Sequence, residues 1–298
     1  METVLGINNL SKQYGKLPAL SNVSFTIEKQ SVFGILGPNG SGKTTTLGIV
    51  LGVINSTSGN YTWFDNSMAN PRKKIGAILE TPNFYHYLSA YRNLQIAADI
   101  KGISYDNIDK VLKIVSLKDR KNHRFSTFSL GMKQRLSIAS ALLADPEVLI
   151  LDEPTNGLDP QGIAEIRELI KDISSQGKTI ILASHMLDEV EKVCTHVAVL
   201  QKGKILTTGR VTDILGTNDI IEVLADDIEK IEMLAKTHPL IKSVSKSNSG
   251  KLELSFTSSV STSQLNEYFY TKGIVLSHLL LRKKTLEAQF LELTGNRK

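Results

Sequence analysis

Along the first forty residues apolar and polar positions alternate at the strand period of two. The alternation runs through Val4-Leu5-Gly6-Ile7 and again through Val23-Ser24-Phe25-Thr26-Ile27, with turn chemistry at Tyr14-Gly15-Lys16 between them. Val32-Phe33-Gly34-Ile35-Leu36 has no polar interruption, as a strand buried on both faces requires, and it leads into a glycine-rich loop and a helix starting near Lys43. From Leu88 to Ser116 the spacing turns helical, through Leu94, Ala97 and Ala98 and then Val111, Leu112 and Val115; a second helical run follows Gly131. Two more continuous apolar strands, Val148 to Leu151 and Thr179 to Ala183, bracket a helix from Gln161 to Ser174. Buried strands alternating with helices predict an α/β fold, a sheet covered on both faces, with a helical insert at about residues 84–135.

After Leu215 the composition shifts, through Gly216, Thr217 and Asn218, which predicts a first domain over 1–217 and an accessory domain over 218–298. The second unit reads as strand 219–225, helix 227–237, strand 241–247, strand 251–257, helix 263–272 and strand 274–281. That order, βαββαβ, is the ferredoxin-like split arrangement of a small α+β domain. A last helix is expected over 285–293.

With 298 residues, 41% hydrophobic and 22% charged, the chain can bury a sizeable core and is not largely disordered. No run approaches the roughly 18 to 20 apolar residues that span a bilayer. Met1-Glu2 opens without the pattern of a cleavable signal, and the single cysteine, Cys194, excludes an internal disulfide framework, so a cytoplasmic location is expected. Cys194 reads as a small buried residue. The net charge of +5 is not gathered in an arm. Between 110 and 135, Lys110, Lys113, Lys118, Arg120, Lys121, Arg124, Lys133 and Arg135 face only Asp119. Little aromatic interleaving accompanies them, so a solvated face is expected there and no nucleic acid.

The chemistry begins at Gly37-Pro38-Asn39-Gly40-Ser41-Gly42-Lys43-Thr44-Thr45, which fits the phosphate-loop pattern GxxxxGK[ST]. Glycines let backbone N–H groups turn onto phosphate oxygens, the helix that follows adds its positive end, Lys43 reaches the β and γ phosphates, and the Thr44 hydroxyl suits Mg²⁺. The apolar run Val148-Leu149-Ile150-Leu151 ends in Asp152-Glu153. A buried strand with two carboxylates at its end suits a Mg²⁺-linked Asp152 followed by Glu153 as the base that orients and activates water. Between these lies Ser129-Leu130-Gly131-Met132-Lys133-Gln134-Arg135, by itself an ordinary helix start.

The order of phosphate loop, Ser129 to Gln134, Leu151-Asp152-Glu153-Pro154-Thr155, Asn156-Gly157-Leu158-Asp159 and Ser184-His185 resembles the ATP-binding-cassette ATPases over residues 1 to about 217. The resemblance implies a P-loop cassette with a mixed sheet core, ATP and Mg²⁺ as nucleotide and metal, and ATP hydrolysis coupled to transport. It also assigns residues: Tyr14 stacks on adenine, and Ser129, Gly131 and Gln134 cap the γ-phosphate of an ATP held by a second cassette. Asp159 contacts that cassette, and His185 is the switch residue at the γ-phosphate. The signature sequence, and the ending Phe290-Leu291-Glu292-Leu293-Thr294-Gly295, are similar to the bacitracin-resistance, lantibiotic-immunity and sodium-extrusion exporters. Where the wider family has glutamine after a strand, Ile75-Gly76-Ala77-Ile78-Leu79 leads into Glu80, which the resemblance places near the metal.

From this follows an expected ATPase subunit, peripheral on the inner membrane face, paired with a second copy rather than a homologue and docked on an integral membrane permease. Phe84, Tyr85, Tyr87 and Tyr91 stand where that family meets its permease; aromatic anchors of an interface and packing of the insert's own core both fit them. A soluble cassette ATPase acting on DNA or the ribosome is the rival, and it lacks its usual coiled-coil, zinc or second-cassette insertions here. A non-hydrolysing regulator is disfavoured by the presence of both Glu153 and His185.

Overall fold

The computed structural model describes residues 2–79, 83–215, 220–247, 250–258, 260–282 and 285–293. The backbone divides into two units, 1–211 and 212–298. The expected seam at 217/218 falls among residues 216–219, outside those described.

In the first unit, β1 (Thr3–Tyr14) and β2 (Leu17–Glu28) form a hairpin with Tyr14 opposite Leu17, closing on Gly15 and Lys16. Then come β3 (Val32–Leu36), α1 (Lys43–Val50), β4 (Ser58–Trp63) and β5 (Ile75–Ile78). The helical insert follows as α2 (Ala90–Lys101), α3 (Ile108–Ile114) and α4 (Leu130–Leu142). The unit continues through β6 (Val148–Asp152), α5 (Pro160–Ser175), β7 (Thr179–Ser184), α6 (Leu187–Glu191), β8 (His196–Gln201) and β9 (Lys204–Arg210). One sheet is antiparallel, ordered β2-β1-β4; the other runs β5-β6-β7-β3-β8-β9 and is parallel except for β9, which makes it mixed.

The core explains the apolar runs. Val148 and Ile150 of β6 and Ile181 and Ala183 of β7 join Phe33, Ile35, Leu47 and Val50 in one buried cluster between the sheets. The alternate residues Leu149, Leu151, Ile180 and Leu182 are buried on the opposite face of the same strands. Each such side chain contributes roughly 1.5 to 3 kcal/mol by leaving water, so the strands that end at the site are its best-anchored elements. Phe25 stacks on Phe33 at 5.2 Å, and the Trp63 indole donates to the Val50 carbonyl at 2.8 Å, tying the antiparallel sheet to α1. Cys194 is buried beside Gly34, and burial pushes its thiol pKa up, as an inert packing residue requires.

The helical periodicity over 88–116 resolves into two helices. Gly102 breaks it in the left-handed region at φ 64°, its N–H closing the carbonyls of Ala98 and Asp99. The pattern did not mark β4 or the β8–β9 hairpin. β4 is largely exposed, and the hairpin turns at Lys202 and Gly203, where both residues have positive φ.

In the second unit, α7 (Val211–Leu215) precedes β10 (Ile220–Leu224), α8 (Ile228–Thr237), β11 (Ile241–Lys246), β12 (Leu252–Phe256), α9 (Thr262–Thr271), β13 (His278–Arg282) and α10 (Leu286–Leu293). The sheet order is β11-β12-β10-β13, antiparallel throughout, which is the split βαββαβ topology. Ile221, Val223, Leu254, Phe256, Ile231, Leu265 and Phe269 build its core. A Ser261/Gln264 capping box starts α9. The strand expected over 274–281 is corrected to His278–Arg282. Gly273 at φ 75° and the bond from Ile274 N–H to the Phe269 carbonyl form a Schellman ending, so the chain is still closing α9 at 274. Among the described residues no helix is long and apolar enough to cross a membrane.

Candidate nucleotide site

The phosphate loop, Gly37 to Gly42, joins the buried strand β3 to α1. Gly37 has no room for a side chain: a Cβ there would lie 2.1 Å from the Leu200 carbonyl. Gly42, at φ 107°, turns the chain into the helix. The first N–H groups of α1, at Lys43, Thr44 and Thr45, have no intrahelical acceptor by construction, and they open toward the loop. Pro38, Asn39 and Gly40 form its exposed rim, while Ser41 is buried. Ser41 Oγ is buried with no hydrogen-bond partner among the described residues, a donor suited to an anionic oxygen. Lys43 is only 5% exposed; its ammonium donates to the Gly37 carbonyl at 2.8 Å and lies 3.2 Å from Glu153 Oε1. Thr44 is exposed at the mouth of the loop.

The parallel register brings the other residues to the same sheet end. Leu36 of β3 pairs with Ser184 of β7, and Asp152 of β6 pairs with Ala183. Asp152 is buried at the end of its strand. Glu153 follows at φ 48°, an unusual value for a non-glycine residue, and its N–H is held by the Ala183 carbonyl at 2.9 Å. This turn aims the carboxylate across the strand ends. Its Oε2 meets His185 Nδ1 at 2.8 Å while Oε1 meets Lys43, so one carboxylate joins the lysine and the histidine. Sequence spacing separates these three residues widely; parallel pairing unites them.

The remaining candidates take other positions. Tyr14 is exposed at the end of β1, with the Lys12 ammonium 4.9 Å above its ring. Ser129 caps α4, its Oγ accepting from the Met132 N–H, and Asp159 caps α5 by accepting from the Gly162 N–H at 2.9 Å. Gly131 and Gln134 lie in the first turns of α4, with Gly131 beside Leu158. Among the described residues no hydrogen bond or ion pair joins Ser129, Gly131 or Gln134 to the phosphate loop. Glu80 lies outside the described residues, just after β5. Phe84 packs edge-on to Phe125 at 5.2 Å inside the insert, whereas Tyr85 and Tyr87 stand exposed and meet each other at 5.9 Å. Several of the basic residues are matched internally, Lys121 with Asp109, Arg135 with Glu165, and Lys133 over the Phe125 ring.

Pattern reading missed a charged contact between α5 and α6. Arg167 of α5 donates to Glu189 of α6 at 2.9 Å, and Lys192 reaches the other oxygen of the same carboxylate. Burial raises the pKa of Glu189, but hydrogen bonds and charge from Lys192 and Arg167 outweigh it and hold the pKa below the usual glutamate range. No local motif signals this contact, because the two residues meet only through packing of two helices.

A glycine loop on a helix start, with a buried aspartate and a left-handed glutamate at the same end of the sheet two strands away, defines a P-loop ATPase. The ABC transporter family profile matches residues 20–156. The chain is 38% identical over 305 residues to the uncharacterized ABC transporter ATP-binding protein YhcH of Bacillus subtilis (strain 168), covering 100% of this chain and 98% of that protein. It is 37% identical over 302 residues to the bacitracin transport ATP-binding protein BcrA of Bacillus licheniformis, covering 99% and 98%. The dimeric structure of a bacterial ABC transporter cassette superposes with a TM-score of 0.62 at 25% identity, covering 70% of this chain and 99% of that one. The chain therefore belongs to the ABC transporter family, as an ATP-binding, ATP-hydrolysing subunit.

Proposed function

We propose that the protein drives export through a separate integral membrane permease, working at the cytoplasmic face as one of two cassettes, the second being a copy of this chain. The observation that carries the hydrolytic part is the placement of Glu153 between Lys43 and His185 beside buried Asp152. Lys43 offers a fixed positive charge to the β and γ phosphates of ATP, and the α1 N–H groups bind their oxygens. Glu153 accepts the proton of the attacking water, with His185 holding the carboxylate in position. Thr44 and Asp152 would hold Mg²⁺, which supplies charge that neutralises the phosphate oxygens.

Support for a two-cassette site comes from α4. Ser129, Gly131 and Gln134 make no bond to the phosphate loop of their own chain among the described residues, and a structural relative is dimeric. The likeness to a bacitracin transport subunit, over nearly the whole chain, supports a peptide antibiotic as the exported class. Glu80 keeps its proposed place near the metal.

The test is Glu153→Gln with Mg²⁺-ATP, followed by gel filtration and by co-purification of the permease in mild detergent. The proposal expects an ATP-dependent dimer that hydrolyses slowly and retains a multi-spanning membrane protein. A monomer with wild-type turnover would sink it.

A further inference from the structure

Lys12 stands two residues before Tyr14 on β1, and its ammonium makes two contacts at once. It donates to the Asn55 carbonyl at 2.7 Å and lies 4.9 Å from the centre of the Tyr14 ring. Asn55 belongs to the connection between α1 and β4, which holds the same stretch of β1 twice more. The Thr57 N–H donates to the Ser11 carbonyl at 2.8 Å, and the Gln13 N–H donates to the Thr57 hydroxyl at 3.0 Å. The backbone is thus fixed on both sides of Lys12. Among the described residues Lys12 makes no ion pair, so its charge is directed at the ring and at one carbonyl.

This end of the hairpin lies beside the phosphate loop. Leu20 is the register partner of Lys12, and it packs on Gly42, where a Cβ would lie 2.5 Å from a Leu20 methyl carbon. Next along β2, the Ser21 N–H donates to the Gly203 carbonyl, and the Gly203 N–H in turn donates to the Ser41 carbonyl. Two strand residues carry Tyr14 roughly 7 Å beyond Lys12. Its side chain has a cation against one face of the ring and is still 47% exposed.

We infer that Lys12 is a positioning residue for the nucleotide base: tethered to Asn55, it holds the Tyr14 ring in one orientation and closes one face, leaving the opposite face as the stacking platform. A cation is attracted to the electron-rich face of an aromatic ring, and a cation with an anchor of its own fixes the ring as well. An exposed tyrosine would otherwise have to be ordered as the base arrives, and that entropy would be subtracted from affinity. The inference rests on the reading of Tyr14 as the residue that stacks on adenine, and it confines the effect of Lys12 to the base end of the nucleotide.

The experiment measures the equilibrium affinity of the whole subunit for Mg²⁺-ATP and for inorganic tripolyphosphate, a probe that keeps the phosphates and lacks the base. Lys12→Met should weaken ATP binding roughly two- to fivefold and leave tripolyphosphate binding unchanged. Lys12→Gln, which keeps a donor for the Asn55 carbonyl but no charge, should do the same, whereas Lys12→Arg should restore ATP affinity. Tyr14→Ala should weaken ATP binding by roughly tenfold or more, and adding Lys12→Met to it should cost nothing further, because the cation then has no ring to hold. If Tyr14→Ala leaves ATP affinity unchanged, the base does not stack there and the reading beneath the inference fails with it. If Tyr14→Ala weakens ATP binding and Lys12→Met does not, the stacking stands and the role of Lys12 is overturned. Equal losses of ATP and tripolyphosphate in Lys12→Met would assign Lys12 to the phosphates, and a loss fully additive to that of Tyr14→Ala would show that it acts apart from the ring; either result overturns the inference.

Discussion

The Lys43 ammonium lies 3.2 Å from Oε1 of Glu153, and both side chains are withdrawn from bulk water. The residues proposed as phosphate-binding cation and water-activating carboxylate thus touch directly, although one opens α1 and the other follows β6. Removing either has different consequences. Lys43→Ala should abolish tight ATP binding, since it deletes the charge at the β and γ phosphates. Glu153→Gln should leave binding intact and slow hydrolysis by roughly 10² to 10⁴-fold, the range for loss of a general base. Equilibrium binding of a fluorescent ATP analogue, together with single-turnover hydrolysis, separates the two.

Asn93 offers a second prediction. Its side chain is buried, accepts from the Tyr85 N–H at 2.8 Å, and donates to the Tyr85 carbonyl at 3.1 Å and the Ser89 carbonyl at 3.0 Å. Ser89 already caps α2, so the amide serves to template the loop before the helix. Asn93→Ala should cost roughly 1 to 3 kcal/mol, because it removes the acceptor of the Tyr85 N–H and the donor to two backbone carbonyls together. Asn93→Asp should cost more, as it turns a donor into an anion against carbonyl oxygens. Urea denaturation of the three proteins checks the order.

The Arg167–Glu189 contact predicts a pH dependence. Glu189 titrates below the usual glutamate range in the folded chain. Its stabilisation is therefore present above the unfolded pKa and is lost as pH falls through the lower, folded value. Arg167→Met should lower stability by about 1 to 2 kcal/mol at pH 7. The gap between variant and wild type should close as the solution is acidified below the ordinary glutamate range. Thermal melts at a series of pH values would show it, and a gap that stays constant would contradict it.

In the small domain, Glu222 lies on the face of β10 opposite Ile221 and Val223, yet is only 1% exposed. Arg282 approaches it at 3.0 Å, His278 at 3.4 Å and Lys251 at 3.6 Å. Glu222→Ala should destabilise by roughly 3 kcal/mol, since Arg282 and Lys251 are left without their anion. Glu222→Gln should recover part of this through its amide oxygen. Chemical denaturation followed by a probe in the small domain measures both.

Much of this architecture was legible because its signals are local. The phosphate loop, the uninterrupted strand of β6 and its two acidic residues each fit within a few positions, and the βαββαβ order could be counted from periodicity. What escaped notice depends on contacts between distant segments. β8 finds its place only by pairing with β3, and β9 only by pairing with β8. Nothing in the order of residues showed that Glu153 would reach both Lys43 and His185, because that depends on its left-handed backbone and on the register of two parallel strands.

Ser129 and Asp159 each spend an acceptor oxygen on capping a helix of their own chain. A serine hydroxyl used in this way still has its proton to give, since it carries one donor besides its acceptors. Both side chains therefore meet any incoming surface with their rotamers already chosen. Ordering a side chain at an interface ordinarily costs about 0.5 to 1.5 kcal/mol, and here that entropy has been surrendered during folding, so any surface that meets these two side chains finds them already set.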